Sequence, residues 1–200
     1  MSPWFMKEGS AMRILGVVGS PRKRGNTHIL VSRILDGARE KGAKTEILFL
    51  NDFTIRECDG CHVCWKGKKC SKKDDMIKIY PKIMHSDVII FGTPVYWYGP
   101  TALMKCFIDR FVFFNCPTNR AKIRGKSAVI AVPFEEEDPR TAQLLIKFFK
   151  KSLDYLEMNL IGTIRAPGVG KRGDILSKED ILEKGYRLGK RIGTGKFLLQ

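Results

Sequence analysis

Short unbroken apolar runs alternate along this chain with longer segments whose apolar residues recur at helical spacing. Arg13–Gly19 is the first apolar run and predicts a buried strand. Thr27–Lys41 follows, with Ile29, Leu30, Ile34, Leu35 and Ala38 falling on one helical face. Thr45–Leu50, Asp87–Phe91, Ala128–Val132 and Leu160–Ile164 repeat the strand signature. Between them a helix opens near Asp74 and Asp75, whose carboxylates suit a helix N-terminus. Another runs through Leu103, Phe107 and Phe111, with Pro100 expected at its first position. Helices are also predicted from about Arg140 to Leu156 and from Glu179 to Ile192.

Strands that are apolar throughout belong to a parallel sheet covered on both faces. Five strand–helix units in one chain predict an α/β three-layer, doubly wound fold, flavodoxin-like with strand order 2-1-3-4-5. Residues 1–11 lack periodicity and read as an irregular N-terminal extension, with Met12 a natural start for the domain. Residues 12–200 then form a single domain carrying a cysteine-rich insert near residues 57–73. In such sheets ligands bind at the carboxyl ends of the strands, where the order reverses between strands 1 and 3.

Composition narrows the setting. The chain has 200 residues, enough for one full core, and no apolar run reaches the roughly 20 residues of a membrane-spanning helix. The N-terminus has no export-signal pattern, so a cytoplasmic, thiol-reducing location is expected. A net charge of +15 raises the question of polyanionic partners. A solvated lysine surface explains the total as well. The local density of Lys66, Lys68, Lys69, Lys72 and Lys73 beside the cysteines is harder to dismiss.

Two loops carry candidate binding chemistry. The turn after strand 1 is Gly19-Ser20-Pro21-Arg22-Lys23-Arg24-Gly25-Asn26-Thr27. It enters a helix N-terminus, where free N–H groups and the dipole favour a phosphate. Ser20, Asn26 and Thr27 offer neutral donors, Arg22 and Arg24 charge, and Gly25 close backbone approach. No Gly-Lys-Ser/Thr closes the turn, so it is not a Walker A loop. After strand 3, Pro94, Val95, Tyr96, Trp97, Tyr98 and Gly99 bring consecutive aromatics to a strand end. Such a segment suits a flat heteroaromatic ring; a hydrophobic plug or dimer contact is the plainer alternative. Together the two loops predict one pocket.

Cys58, Cys61, Cys64 and Cys70 have the spacing C-x2-C-x2-C-x5-C. Thiolates at these steps can take the corners of a cubane iron–sulfur cluster, echoing the ferredoxin run without its proline. Zinc, or free and redox-active thiols, are the alternatives that spacing leaves open.

Gly19-Ser-Pro-Arg with Gly25-Asn-Thr, the cysteines leading into Asp74-Asp75-Met76, and Thr93-Pro-Val-Tyr-Trp followed by Lys105 and Asp109-Arg110 resemble the iron–sulfur flavoproteins. These fall within the flavodoxin-like NAD(P)H-dependent FMN reductase group. The resemblance implies FMN, its phosphate held by Ser20, Arg22, Gly25, Asn26 and Thr27 and its ring lined by Pro94 to Gly99. It also implies a [4Fe–4S] cluster on the four cysteines. Further implications are a homodimer or homotetramer, ferredoxin or NAD(P)H as electron donor, and a small-molecule acceptor. The loop Pro133-Phe-Glu-Glu-Glu-Asp-Pro139 departs from the group in being acidic where many members are glycine-rich.

Rival readings are a plain NAD(P)H-dependent FMN or quinone reductase with zinc-bound or free cysteines, and a basic zinc module binding nucleic acid. No nucleic-acid motif or recognition helix supports the latter, so neither a nucleic-acid nor a membrane partner is expected. Lys105 and Asp109 read as a helical salt pair. Phe107, Phe111, Phe113 and Phe114 read as core or dimer surface, and Cys106 and Cys116 as packing residues. His28 and His85 stand isolated, and His62 reads as a loop residue. No Ser/His/Asp set is present, leaving hydrolysis without a catalyst.

Overall fold

The computed structural model describes residues 11–195; the predicted N-terminal extension, save Ala11, lies outside them. Strands β1 (Arg13–Val18), β2 (Lys44–Phe49), β3 (Val88–Gly92), β4 (Ser127–Pro133) and β5 (Asn159–Ala166) form one parallel sheet of order 2-1-3-4-5. This is the predicted flavodoxin-like topology. The helices are α1 (Asn26–Glu40), α2 (Met76–His85), α3 (Ala102–Asp109), the short α4 (Pro117–Arg120), α5 (Gln143–Tyr155) and α6 (Glu179–Gly193). No helix among the described residues is long and apolar enough to cross a membrane.

Alternation along the strands sorts side chains into two cores. Leu15, Val17 and Phe91 join Met76, Ile79, Phe107 and Phe149 from α2, α3 and α5. Ile14, Val18 and Ile90 join Leu30, Ile34, Leu188 and Ile192 from α1 and α6. Residues of β3 and β4 are buried on both faces, whereas β2 and β5 form the half-exposed edges. The aromatic residues of the first core interlock, Phe91 facing Phe107, Phe111 and Phe149 at centroid distances of 6.5, 6.1 and 5.5 Å. Burying each ring contributes about 1.5–3 kcal/mol.

Helices α1 and α6 pack unusually close. A Cβ at Gly37 would run into the Tyr186 carbonyl, and one at Gly189 into the Ile34 carbonyl. The two backbones therefore touch where side chains ordinarily intervene. Element edges differ from expectation at two caps. Thr101, whose hydroxyl accepts the Met104 N–H, caps α3, which places Pro100 ahead of the helix instead of at its first turn. The segment Pro139–Ala142 forms a 3-10 turn before α5 begins, because Asp138 caps the turn at Arg140.

Candidate functional site

The turn after β1 is fixed from both sides. Gly19 N–H donates to Gly92 O at 2.7 Å, and the Thr101 hydroxyl donates to Gly19 O, so the ends of β1, β3 and α3 meet. Gly25 forms the N-cap of α1, and no side chain caps the helix or adds acidic charge to its first turn. Its orphan N–H groups and positive dipole end make an anion site. Ser20, Asn26 and Thr27 are buried there, and Arg22 is exposed. A Cβ at Gly25 would lie 3.0 Å from Arg22 O, so a side chain there would crowd the tight turn.

A cleft of about 110 Å³ opens at this turn, lined by Ser20, Arg22, Asn26 and Thr27, by Pro94, Val95 and Tyr96, and by Pro133, Phe134, Glu135, Val169 and Gly170. The two loops predicted to share a pocket do share it. Arg22 reaches across the cleft, Nη1 donating to Gly170 O at 2.9 Å. The side chain of Asn26 makes four bonds with the segment after β5. Its amide donates to Val169 O and Lys171 O at 3.0 and 2.8 Å, and its oxygen accepts from Gly173 N and Ile175 N at 2.9 and 3.3 Å. The wall from Pro133 to Glu135 belongs to the acidic loop singled out in the sequence, whereas the segment after β5 was not anticipated. The signal for that segment was Pro167-Gly-Val-Gly170, a glycine-bearing loop directly beyond a strand's carboxyl end.

Tyr96 to Gly99 close a two-residue hairpin, paired through Tyr96 N to Gly99 O at 2.9 Å and Gly99 N to Tyr96 O at 3.0 Å. Trp97 and Tyr98 occupy its tip with φ of 49° and 60°, a left-handed conformation unfavourable for bulky residues. Trp97 is 97% exposed and, with Tyr98 and Gly99, stands outside the cleft wall. Such strain persists only where surrounding structure holds it, here the paired backbones of Tyr96 and Gly99.

Cys58 to Cys70 occupy the insert between β2 and α2, bent at Gly60, His62 and Gly67 with φ of 67°, 53° and 72°. Cys64 is buried, Cys58 and Cys70 are half-buried, and Cys61 is exposed with its Sγ 3.1 Å from Ser71 Oγ. Burial, and then the nearby sulfurs of Cys116, Cys70 and Cys58, push the Cys64 thiol up. Cys116, expected to serve packing alone, is thus within electrostatic range of the motif cysteines. Among the described residues no three Cys, His, Asp or Glu side chains converge where a single ion could sit. Four soft sulfur donors on one insert suit thiolate ligation, and the chemistry of this donor set fits an iron–sulfur cluster or zinc.

Behind the insert lies a buried ion pair, Arg110 with Asp74, whose side chains are 1% and 0% exposed. Arg110 Nη1 also donates to Arg56 O at 2.9 Å, and Nη2 to Cys70 Sγ at 3.2 Å. Asp74 accepts from the N–H of Arg56 at 2.9 Å and of Met76 at 3.2 Å. Burial opposes the Asp74 charge, but the bonds from Arg110 and Arg56 outweigh it and hold the carboxyl below its ordinary value. In front, Lys66, Lys68, Lys69 and Lys73 are exposed. Lys72 instead pairs with Asp59 at 2.8 Å, pulling that carboxylate to about 2. Lys105 and Asp109 form the predicted salt pair at 2.6 Å.

A family model described as NADPH-dependent FMN reductase matches residues 12–163. An iron–sulfur flavoprotein of Methanocaldococcus jannaschii is 33% identical over 187 residues, covering 90% of this chain and 95% of that protein. An iron–sulfur flavoprotein of Archaeoglobus fulgidus is 42% identical over 99 residues, about half of each chain (50% and 48%). Among solved structures, an NAD(P)H:quinone oxidoreductase from Methanothermobacter marburgensis superposes with a TM-score of 0.76 at 16% identity, covering 92% of this chain and 96% of that one.

Proposed function

Because the chain belongs to the NADPH-dependent FMN reductase family, and is thus an FMN-containing, flavin-dependent oxidoreductase, we propose that it carries electrons from ferredoxin or NAD(P)H to a small-molecule acceptor, with a [4Fe–4S] cluster on Cys58, Cys61, Cys64 and Cys70. FMN supplies two-electron exchange with hydride donors and one-electron exchange with metal centres, and the cluster supplies one-electron exchange. The protein's part is to hold and orient these groups. Ser20, Gly25, Asn26 and Thr27, at the uncapped start of α1, would hold the phosphate, with Arg22 as the charged partner. Pro94, Val95 and Tyr96 would wall the ring, and the hairpin tip of Trp97, Tyr98 and Gly99 would border it. The exposed Lys66, Lys68, Lys69 and Lys73 would draw an acidic donor protein to the cysteines. A homodimer or homotetramer in the cytoplasm completes the reading.

The observation that carries it is the opening of α1's uncapped N-terminus, Arg22 and the Pro94–Tyr96 segment into one cleft. The experiment is anaerobic purification and reconstitution, followed by a visible spectrum and assays of flavin, iron and acid-labile sulfide. About four iron and four sulfide per chain, with one FMN, are expected from the cubane stoichiometry. One zinc, or four titratable thiols without metal, would replace the reading with a plain FMN or quinone reductase.

A further inference from the structure

We propose that Arg110 is the positioning residue of the cysteine insert, holding the Cys70 sulfur and tuning whatever that sulfur ligates; this rests on the reading of the cysteines as cluster ligands. One guanidinium ties both ends of the insert. Through Arg56 O at 2.9 Å it grips the chain two residues before Cys58, and through Cys70 Sγ at 3.2 Å it grips the last cysteine. Asp74, its buried partner, binds Arg56 N at 2.9 Å and so closes the same clamp from the other strand of the loop. Tyr80 fastens the clamp to α2, its hydroxyl donating to Arg110 O at 3.2 Å.

A salt bridge kept only for stability needs no sulfur. Burying a charged pair is costly, and an apolar pair of similar volume is often neutral or better. A planar fork with five N–H groups serves a carboxylate, a carbonyl and a sulfur at once in fixed directions, which a rotatable ammonium does not fix. A ligand sulfur carries negative charge, so the Arg110 bond to it is charge-assisted. Hydrogen bonds to cluster sulfurs raise the reduction potential, because they favour the more negative, reduced form. Asp74 offsets the guanidinium charge, so the directed N–H, and not net charge, delivers the effect.

The test uses the full chain, FMN-loaded and reconstituted anaerobically, in three forms: wild type, Arg110→Lys, and the charge-free double variant Asp74→Asn with Arg110→Met. Flavin content reports the fold; iron and sulfide content, chelator-driven iron release and the cluster midpoint potential report the clamp. Both variants should retain FMN. Each should favour the oxidised cluster by about tenfold, a drop of about 59 mV for one electron, and release iron about tenfold faster than wild type. Wild-type potential and release rate in variants that hold a full cluster would overturn the inference and leave the cysteine reading standing. Absence of iron and sulfide from the wild type itself would overturn both, and shows before any variant is compared. Should Arg110→Lys lose its flavin, the double variant carries the test; loss of flavin from both assigns the pair to the core alone and overturns the proposal.

Discussion

Asn26 opens α1, yet its side chain is committed to partners 143 to 149 residues further along the chain. It uses two donors and one oxygen with no redundancy. Replacing it by Asp would set a carboxylate against the Val169 and Lys171 carbonyls and lose both donors. Thermal unfolding should reveal a loss of about 1–3 kcal/mol, several degrees in Tm. Arg22 is the contrasting case, an exposed guanidinium on a backbone oxygen. Arg22→Ala should leave Tm nearly unchanged while weakening FMN by roughly ten- to hundred-fold in a fluorescence titration, the size of one lost charge-assisted contact. Asp74 adds a dependence on acidity. Its folded pKa lies below the ordinary aspartate value, so its stabilisation is complete above about pH 3.9 and is lost as pH falls through the folded value. Unfolding midpoints of the wild type should therefore slope downward below about pH 4, and the Asp74→Asn/Arg110→Met protein should slope less. The charges of these residues were legible in sequence. Their partners were not, because a hydrogen bond across nearly 150 residues leaves no local pattern.

At the level of elements, the contact of α1 with α6 depends on missing side chains. Gly193 would place a Cβ 2.6 Å from Ala38 O, and Gly37 and Gly189 are tighter still. Gly189→Ala must separate the helices and should destabilise strongly, by about 2–4 kcal/mol in denaturant unfolding, as overpacking against backbone does. Gly185→Ala on the same helix meets only Ile34 and Leu30 side chains at 3.4 and 3.5 Å. There the propensity gain of up to about 1 kcal/mol should emerge as equal or higher stability. Opposite signs from two glycines four residues apart give the measurement its force. Strands were easily read, since runs such as Val88–Gly92 are apolar throughout. Helix starts were less so: Pro100 resembles a first-turn proline, and only the Thr101 hydroxyl, accepting the Met104 N–H, moves the cap two residues later, from Gly99 to Thr101.

For the whole molecule, charge is arranged as well as abundant. Lys66, Lys68, Lys69 and Lys73 face solvent on the cysteine insert, whereas Lys72 is spent on Asp59. Converting the four exposed lysines to Ser should slow reduction by an acidic protein donor by about tenfold at low salt and flatten its ionic-strength dependence, with reduction by dithionite unaffected. Stopped-flow traces at several salt concentrations provide the check. The sheet order followed from the alternation of strands and helices, and the position of the Gly19–Thr27 turn at the cleft from its place beyond β1. The side of the cleft formed by Val169 and Gly170 did not, because it lies beyond an edge strand, and only packing against the acidic loop at Glu135 brings it to the turn. That wall has a consequence in time. Synthesis makes Ser20, Arg22 and α1 early, but Val169 and Gly170 nearly a domain later. Until residues 167–175 have left the ribosome the cleft stands open on one side and Asn26 has nothing to hold. With FMN in this cleft as proposed, secure seating of the flavin requires that translation has passed β5, and a chain stalled before that point is expected to be colourless.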